Sequence, residues 1–356
     1  MAQLGAHAMS VRPFAHLSDK VRSGFDLTPG EVQEAVALLL AEPVAAEAKA
    51  DFLAALHGKG ESAHEIASFA RFLLERAVDL EIESETVIDV CGTGGDGVDL
   101  FNVSTAVMFI LAAAGATVVK HGNRAVTSRS GSADVLEALG IATTLEPDAL
   151  RDCIAQHHCG FVYARLYHPA FRALAEMREQ LVRKNQRTVF NILGPLLNPA
   201  RPARQLIGVY APALTMMFAE VLRELGRERA WVVNGMIDNT MSIDDVSTLG
   251  PTQVGELENG RVSSAVLDTQ WLGLARPTLA EITGGNAKEN AETIVRILDG
   301  SDKGAKRALL VANAAAAFVV SGLANEMNSG IARAQEEIDS GRALAKLRAL
   351  QDYGAE

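Results

Sequence analysis

The chain has 356 residues, too many for one small core and enough for one large domain or two. Hydrophobic residues make up 48% and charged residues 22%, the balance of an ordinary globular protein. Asp and Glu outnumber Lys and Arg by 44 to 33, and the net charge of −11 argues against nucleic acid or a membrane as the main partner, since nucleic acid and anionic lipid both demand a basic surface. The first eighty or so residues read as helices. Thr28-Pro29-Gly30-Glu31 is a capping box with proline at the first helical position, and Leu27 and Val32 can form its hydrophobic staple. Ser62-Ala63-His64-Glu65 repeats the box before an apolar-periodic run over 66–74. No strand pattern precedes Val87, so residues 1–82 are expected to form a small all-helical domain.

From Val87 the texture changes to short β-branched runs alternating with helical segments. Strands are expected at 87–91, 117–121, 161–164, 205–210 and 230–234, and helices at 104–114, 132–139 and 212–225, each closed by a glycine. This alternation implies βαβ units and an α/β domain with a central, mostly parallel sheet over 83–356. Residues 256–267 read as an antiparallel hairpin about Asn259-Gly260, and the chain from about Asn286 reads as helical. A cleft between the helical and α/β domains is the expected ligand site.

Cys91, Cys153 and Cys159 make no disulfide framework and suit a reducing compartment. Cys153, His157, His158 and Cys159 lie close enough to raise zinc, but all four fall in or beside one predicted helix end and no second cluster completes four ligands. The N-terminus shows no charged segment followed by an apolar core, so no signal peptide is expected. The longest apolar stretch, 106–119, is too short to span a bilayer and is interrupted by Gly115. A cytoplasmic enzyme is the resulting expectation.

Residues 92–132 hold a dense set of anion-binding groups. Gly92-Thr93-Gly94-Gly95-Asp96-Gly97 satisfies a G-x-G-x-x-G spacing, but no helix begins at its third glycine, and Lys120-His121 ends the next strand where a ribose-binding acid belongs. A dinucleotide-dependent oxidoreductase is therefore excluded in favour of a phosphorylated sugar. The glycine turn supplies backbone N–H groups. Asn102-Val103-Ser104-Thr105 opens a helix whose dipole favours phosphate, and Ser132 opens another. Lys120 and Arg124 add charge, with Asn123, Thr127 and Ser128 alongside. Two helix starts and two cations at separate strand ends suit a ligand with more than one phosphate.

These motifs, with Gly131-Ser132-Ala133-Asp134, residues 188–199 (T-V-F-N-I-L-G-P-L-L-N-P) and Asn313-Ala314-Ala315-Ala316-Ala317, resemble the motif set of the anthranilate phosphoribosyltransferase family over most of the chain. The resemblance implies a nucleoside phosphorylase/phosphoribosyltransferase-like fold, with part of the helical domain returning near 170–197, and a homodimer. It implies transfer of the phosphoribosyl group from phosphoribosyl pyrophosphate to the amine of anthranilate, releasing pyrophosphate, as in tryptophan biosynthesis. Gly92, Gly95, Asp96, Asn102, Ser104, Thr105, Lys120, Asn123, Arg124, Ser128 and Ser132 would hold the donor. Gly92, Asn123 and Arg178 would contact the acceptor, with Arg165 and His168 as further candidates. No catalytic residue is assigned, although His121 can orient the acceptor.

Asp244-Asp245 resembles the family's Asp-Glu pair. Adjacent carboxylates repel unless a cation lies beside them, and Mg²⁺ commonly uses one or two carboxylates with substrate phosphates. Asp244, Asp245 and Ser104 are thus the expected metal residues. The chain departs from the family's pattern at Leu100, at Arg165 in place of proline, at 178–187, and at Val233-Asn234-Gly235. Three other functions stay open at this level: a paralogue acting on a different aromatic acceptor, a nucleoside phosphorylase, and a non-catalytic nucleic-acid-binding paralogue, the last opposed by the acidic charge.

Overall fold

The computed structural model describes residues 15–84, 86–125, 129–274 and 276–354, and within them the chain forms two units. The first combines the N-terminal residues to Val78 with the returning segment Tyr167–Leu197, and the second comprises Asp79–Leu166 and Asn198–Glu356.

In the first unit, helix α1 (15–22) is followed by α2 (Pro29–Leu40), α3 (Ala46–Lys59) and α4 (Ala63–Leu74). Both capping boxes form. Thr28 and Glu31 satisfy each other's backbone N–H groups, and Ser62 and Glu65 do the same. Glu65 does more than cap. It is fully buried, and its carboxylate also accepts from the Leu27 N–H at 2.9 Å and from Lys59 Nζ at 2.7 Å. One acid therefore ties the entry of α2, the end of α3 and the start of α4 into a single node. Around it Val36, Leu39, Phe52, Leu56, Phe69 and Leu73 form the core.

The second unit follows the alternating pattern. The strands are β1 (Val87–Gly92), β2 (Thr117–Gly122) and β3 (Cys159–Tyr163), separated by α5 (Val103–Ala113), α6 (Ser132–Ala138) and α7 (Pro147–His157). After α8 (Ala164–Tyr167) and α9 (Ala175–Arg183), the chain adds β4 (Arg204–Gly208), α10 (Leu214–Glu224), β5 (Arg229–Met236), β6 (Ser242–Ile243), β7 (Thr252–Glu258) and β8 (Arg261–Leu267). Helices α11 (Leu279–Ile282), α12 (Ala287–Leu298), α13 (Ala305–Ser321), α14 (Met327–Asp339) and α15 (Arg342–Tyr353) complete it. The sheet order is β3-β2-β1-β4-β5-β7-β8, with β6 beside β5. The first five strands of that order run parallel, while the pairings of β7, β8 and β6 are antiparallel. Strand order reverses direction between β1 and β4, the switch point where open α/β sheets bind ligands at their carboxyl ends.

Several elements differ from the sequence expectation for local reasons. Strand β3 begins two residues early because His158, at φ 56, turns the end of α7 straight into it. Helix α10 starts at Leu214, after a turn in which the Pro212 carbonyl accepts from the Thr215 hydroxyl at 2.9 Å. Strand β6 and helix α11 are too short to carry a periodic signal. The expected hairpin is present, with Asn259 and Gly260 both at positive φ. Helix α5 is buried from Thr105 to Ala112, which is why this part of 106–119 reads so hydrophobic, and α13 is buried from Leu309 to Ser321. No helix among the described residues is long and apolar enough to cross a membrane. The Cys153 and Cys159 side chains are buried, burial pushes the Cys153 thiol up to about 12, and no group of three or more His, Cys, Asp or Glu among the described residues could by itself hold a metal.

Candidate functional site

At the switch point β1 and β4 both end on glycine, and Asp244 is the reason. A Cβ on Gly92 would lie 2.3 Å from Asp244 Oδ2, and one on Gly208 would lie 1.5 Å from the Asp244 carbonyl oxygen. A side chain at Gly208 would expel the backbone of the acidic loop, and one at Gly92 would push the Asp244 carboxylate aside. Gly94, Gly95 and Gly97 take positive φ, which folds the loop after β1 back over Asp244. There the Gly94 N–H donates to Asp244 Oδ2 at 2.7 Å, and the Asp244 N–H reaches Asp96 Oδ2 at 3.4 Å. The Gly94 amide is thus already committed to a carboxylate and is not presented to a ligand. Asp96 Oδ1 accepts from Val98 N–H at 3.0 Å, closing the turn.

Asn313 of α13 holds the acidic loop from below. It accepts from the Val246 N–H at 2.8 Å and donates to the Val246 carbonyl at 3.0 Å. A cavity of about 10 Å³ is lined by Ser104, Asp244, Asp245 and Asn313 among apolar neighbours, space for a single water. Burial, aided by the charge of Asp96, raises the Asp244 carboxyl to about 7. Asp245 is pushed well above the ordinary carboxylate range by burial and by the charges of Asp244 and Asp96. Asp244 and Asp245, crowded further by the charge of Asp96, favour a neighbouring cation that takes most of its ligands from elsewhere. The oxygen donors present suit magnesium, a hard ion that takes its remaining ligands from phosphate and water.

Lys120 departs from expectation. It lies inside β2 instead of at the strand's tip and is 2% exposed. Its ammonium donates to the Val90 carbonyl at 2.6 Å and to Ser104 Oγ at 3.0 Å. Burial pulls its pKa down, against the opposing charge of Asp89 first among its acidic neighbours. Lys120 therefore aims the Ser104 hydroxyl, and its charge acts from beneath the site. Asp89, unnoticed in the sequence, is fully buried and accepts from the His121 N–H at 3.2 Å and from Asn198 Nδ2 at 3.0 Å. Its signal was available: an acid within an otherwise apolar parallel strand, V-I-D-V-C, implies a buried partner. Thr105 is completely buried, and its hydroxyl has no hydrogen-bond partner among the described residues.

The loop after β2 is built around Asp134. This carboxylate accepts from the N–H groups of Ala125 and Gly131, both at 2.9 Å, and from Arg124 at 3.2 Å. Arg124 also donates to Glu137 at 2.6 Å, so the second expected cation is engaged by two acids of α6. Ser132 Oγ donates to the Asn123 carbonyl at 3.3 Å, and a Cβ on Gly122 would displace it, lying 2.1 Å from that hydroxyl oxygen and 2.8 Å from the Phe161 ring. Asn102 bridges the two loops by donating to the Ser130 carbonyl at 3.2 Å while accepting from Ser130 Oγ at 3.1 Å. Thr127 and Ser128 lie outside the described residues.

The acceptor candidates divide. Arg178 is an exposed residue of α9, in the helical unit, and Arg165 is exposed on α8. His168 does not behave as a ligand residue. It is 2% exposed, its Nε2 lies 2.8 Å from the Leu197 carbonyl, and its ring stacks on Phe171 at 5.0 Å. It closes the returning segment on itself, a structural role that a histidine before Pro169 does not advertise in sequence.

Two family models match the chain: the α/β domain of a glycosyl transferase family over residues 84–344, and the helical bundle domain of the same family over 15–77. Proteins named anthranilate phosphoribosyltransferase are similar along nearly the whole chain. That of Petrotoga mobilis is 42% identical over 340 residues, 96% of each chain. That of Desulfatibacillum aliphaticivorans is 42% identical over 343 residues, covering 96% of this chain and 99% of its own. Among solved structures, the anthranilate phosphoribosyltransferase of Thermus thermophilus superposes with a TM-score of 0.88 at 36% identity, covering 96% of this chain and 99% of its own. The Saccharomyces cerevisiae enzyme, in complex with phosphoribosyl pyrophosphate and magnesium, gives 0.85 at 25% identity, covering 96% and 98%.

Proposed function

The chain belongs to the anthranilate phosphoribosyltransferase family, and on that premise we propose that it transfers the 5-phosphoribosyl group of phosphoribosyl pyrophosphate to anthranilate. The bond from ribose C1 to the pyrophosphate oxygen breaks, a bond from C1 to the amine nitrogen forms, and the amine proton passes to solvent or to the departing pyrophosphate. The observation that carries this reading is the convergence of Ser104, Asp244 and Asp245 on one cavity at the switch point, beside the glycine loop.

The chain's own contribution is positioning and electrostatics. The loop 92–96, Asn102, Ser104 and Thr105 would receive the donor from one side, with Asn123, Arg124 and Ser132 on the other, and Ser128 would join the donor residues by the family resemblance. Lys120 keeps Ser104 Oγ oriented. Gly94 keeps Asp244 in place. Ser104, Asp244 and Asp245 would hold magnesium, which when bound neutralises charge on the pyrophosphate. Gly92, Asn123 and Arg178 would contact anthranilate, Arg178 by pairing with its carboxylate. An aromatic amine is already a nucleophile, so no strong general base is required, and His121 would serve to orient it. A cytoplasmic homodimer belongs to the same reading, by the family resemblance.

The test is to supply purified protein with phosphoribosyl pyrophosphate, Mg²⁺ and a panel of aminobenzoates, and to measure pyrophosphate release. Anthranilate is expected to give the highest kcat/KM. A different preferred acceptor would make the chain a paralogue, and no release with any acceptor would refute transfer. Asp244→Asn is expected to lower turnover by at least about 100-fold and to change its magnesium dependence. Unchanged values for both would remove the metal role from Asp244.

A further inference from the structure

The stretch that carries Asn102 into α5 is clasped by residues almost two hundred positions away, outside every donor motif. Thr283 forms an antiparallel bridge with Leu100, and the Gly284 N–H donates to the Asp99 carbonyl at 2.7 Å. A Cβ on Gly284 would lie 2.5 Å from the Phe101 nitrogen, so only glycine lets the two backbones touch. Asn290, 1% exposed in the first turn of α12, completes the clasp. Its Oδ1 accepts from the Gly285 N–H at 2.7 Å, and its Nδ2 donates to Asn102 Oδ1 at 2.9 Å.

These bonds leave Asn102 one orientation. Its Oδ1 receives both Asn290 Nδ2 and Ser130 Oγ, and its Nδ2 faces the Ser130 carbonyl. A flipped amide would set N–H₂ against N–H₂ and carbonyl against carbonyl. Such an amide pair, with Asn290 buried and Asn102 half-buried, makes a stiff joint, and a buried polar group left unpaired is costly.

We propose that Asn290 is a positioning residue for the phosphoribosyl donor: through Asn102 it locks the loop after β1 to the loop after β2 before the donor arrives. The inference rests on the donor site proposed above, and Asn290 itself would touch no substrate. Ordering the two loops in advance lowers the cost of binding without adding a contact.

Calorimetric titration of the full chain with phosphoribosyl pyrophosphate and Mg²⁺, together with steady-state kinetics, tests this. Asn290→Ala is expected to weaken donor binding about tenfold and to raise the donor KM in step, leaving kcat and the anthranilate KM within about twofold. Asn290→Asp retains an acceptor for the Gly285 N–H but has no donor for Asn102, so it should weaken donor binding as much with less effect on thermal unfolding. Asn290→Ala introduced into Asn102→Ala should add little further loss, because Asn290 reaches the donor only through Asn102. Unaltered donor affinity in both Asn290 variants, an equal rise in both KM values, or fully additive losses would overturn the inference while leaving the transfer reaction standing. Failure of the unsubstituted protein to bind phosphoribosyl pyrophosphate would instead overturn the functional reading, and this inference with it.

Discussion

The loop after β1 takes its anchors from far along the chain, whereas the loop after β2 is held by the helix that directly follows it. Gly94 bonds to Asp244, 150 residues away, and Asn102 to Asn290, 188 residues away. Ala125 and Gly131 bond to Asp134, nine and three residues away. A loop held locally can form as soon as its helix does. A loop held from a distance depends on closure of the whole sheet, so its geometry reports whether the domain is correctly assembled. The difference teaches that one half of the proposed donor site is a local motif and the other a tertiary one.

Substitutions can break this comparison, and the largest effect belongs to the distant anchors. Gly208→Ala puts a methyl where the Asp244 carbonyl sits, and overpacking of that kind costs roughly 1–3 kcal/mol or more. Turnover should fall by at least about 100-fold and the unfolding midpoint should drop. Retained activity would mean that the acidic loop does not need its close approach to β4.

A smaller and more local effect is expected at the second loop. Asp134→Ala removes the acceptor for two N–H groups and a guanidinium, and hydrogen bonds to a charged group contribute about 1.5–3 kcal/mol each before relaxation. The donor KM should rise about tenfold, while Asp134→Asn, which keeps one acceptor oxygen, should fall between that variant and the unsubstituted protein. Equal behaviour of Ala and Asn would show that the carboxylate's charge is what holds the loop.

The mildest test is pH. Burial would raise the Asp134 carboxyl, but the Ala125 and Gly131 N–H groups, with Arg124, outweigh it and hold the carboxyl below its ordinary value. A depressed carboxyl contributes stability that is complete above the unfolded pKa, about 3.9, and is lost as pH falls through the folded value. Hydrogen exchange at Ala125 and Gly131 should therefore lose about two- to fivefold of its protection between pH 5 and pH 3, after correction for the intrinsic rate. Constant protection over that interval would exclude Asp134 as the clamp.

The same contrast explains what was legible beforehand. Capping boxes at Thr28 and Ser62, the turn at Asn259-Gly260, and the helix starts at Ser104 and Ser132 are local patterns, and each is present in the structure close to where the sequence places it. Lys120 was recognisable as part of the site, but its direction was not, because a side chain at a strand end can point to solvent or inward. Inward was decided by Val90, Ser104 and Asp89 on neighbouring elements. His168 invites a binding role by its neighbourhood, yet Leu197 and Phe171 occupy it.

What the sequence determined alone was the alternation of strands and helices and the family, because these rest on residue types at short spacings. Tertiary structure alone decided which amides are already engaged, why Gly208 tolerates no side chain, and how Asn290 comes to orient Asn102. A hydrogen bond or a steric limit acts over a few ångströms of space, whereas Gly94 and Asp244 lie 150 residues apart in the chain and Asn102 and Asn290 lie 188 apart.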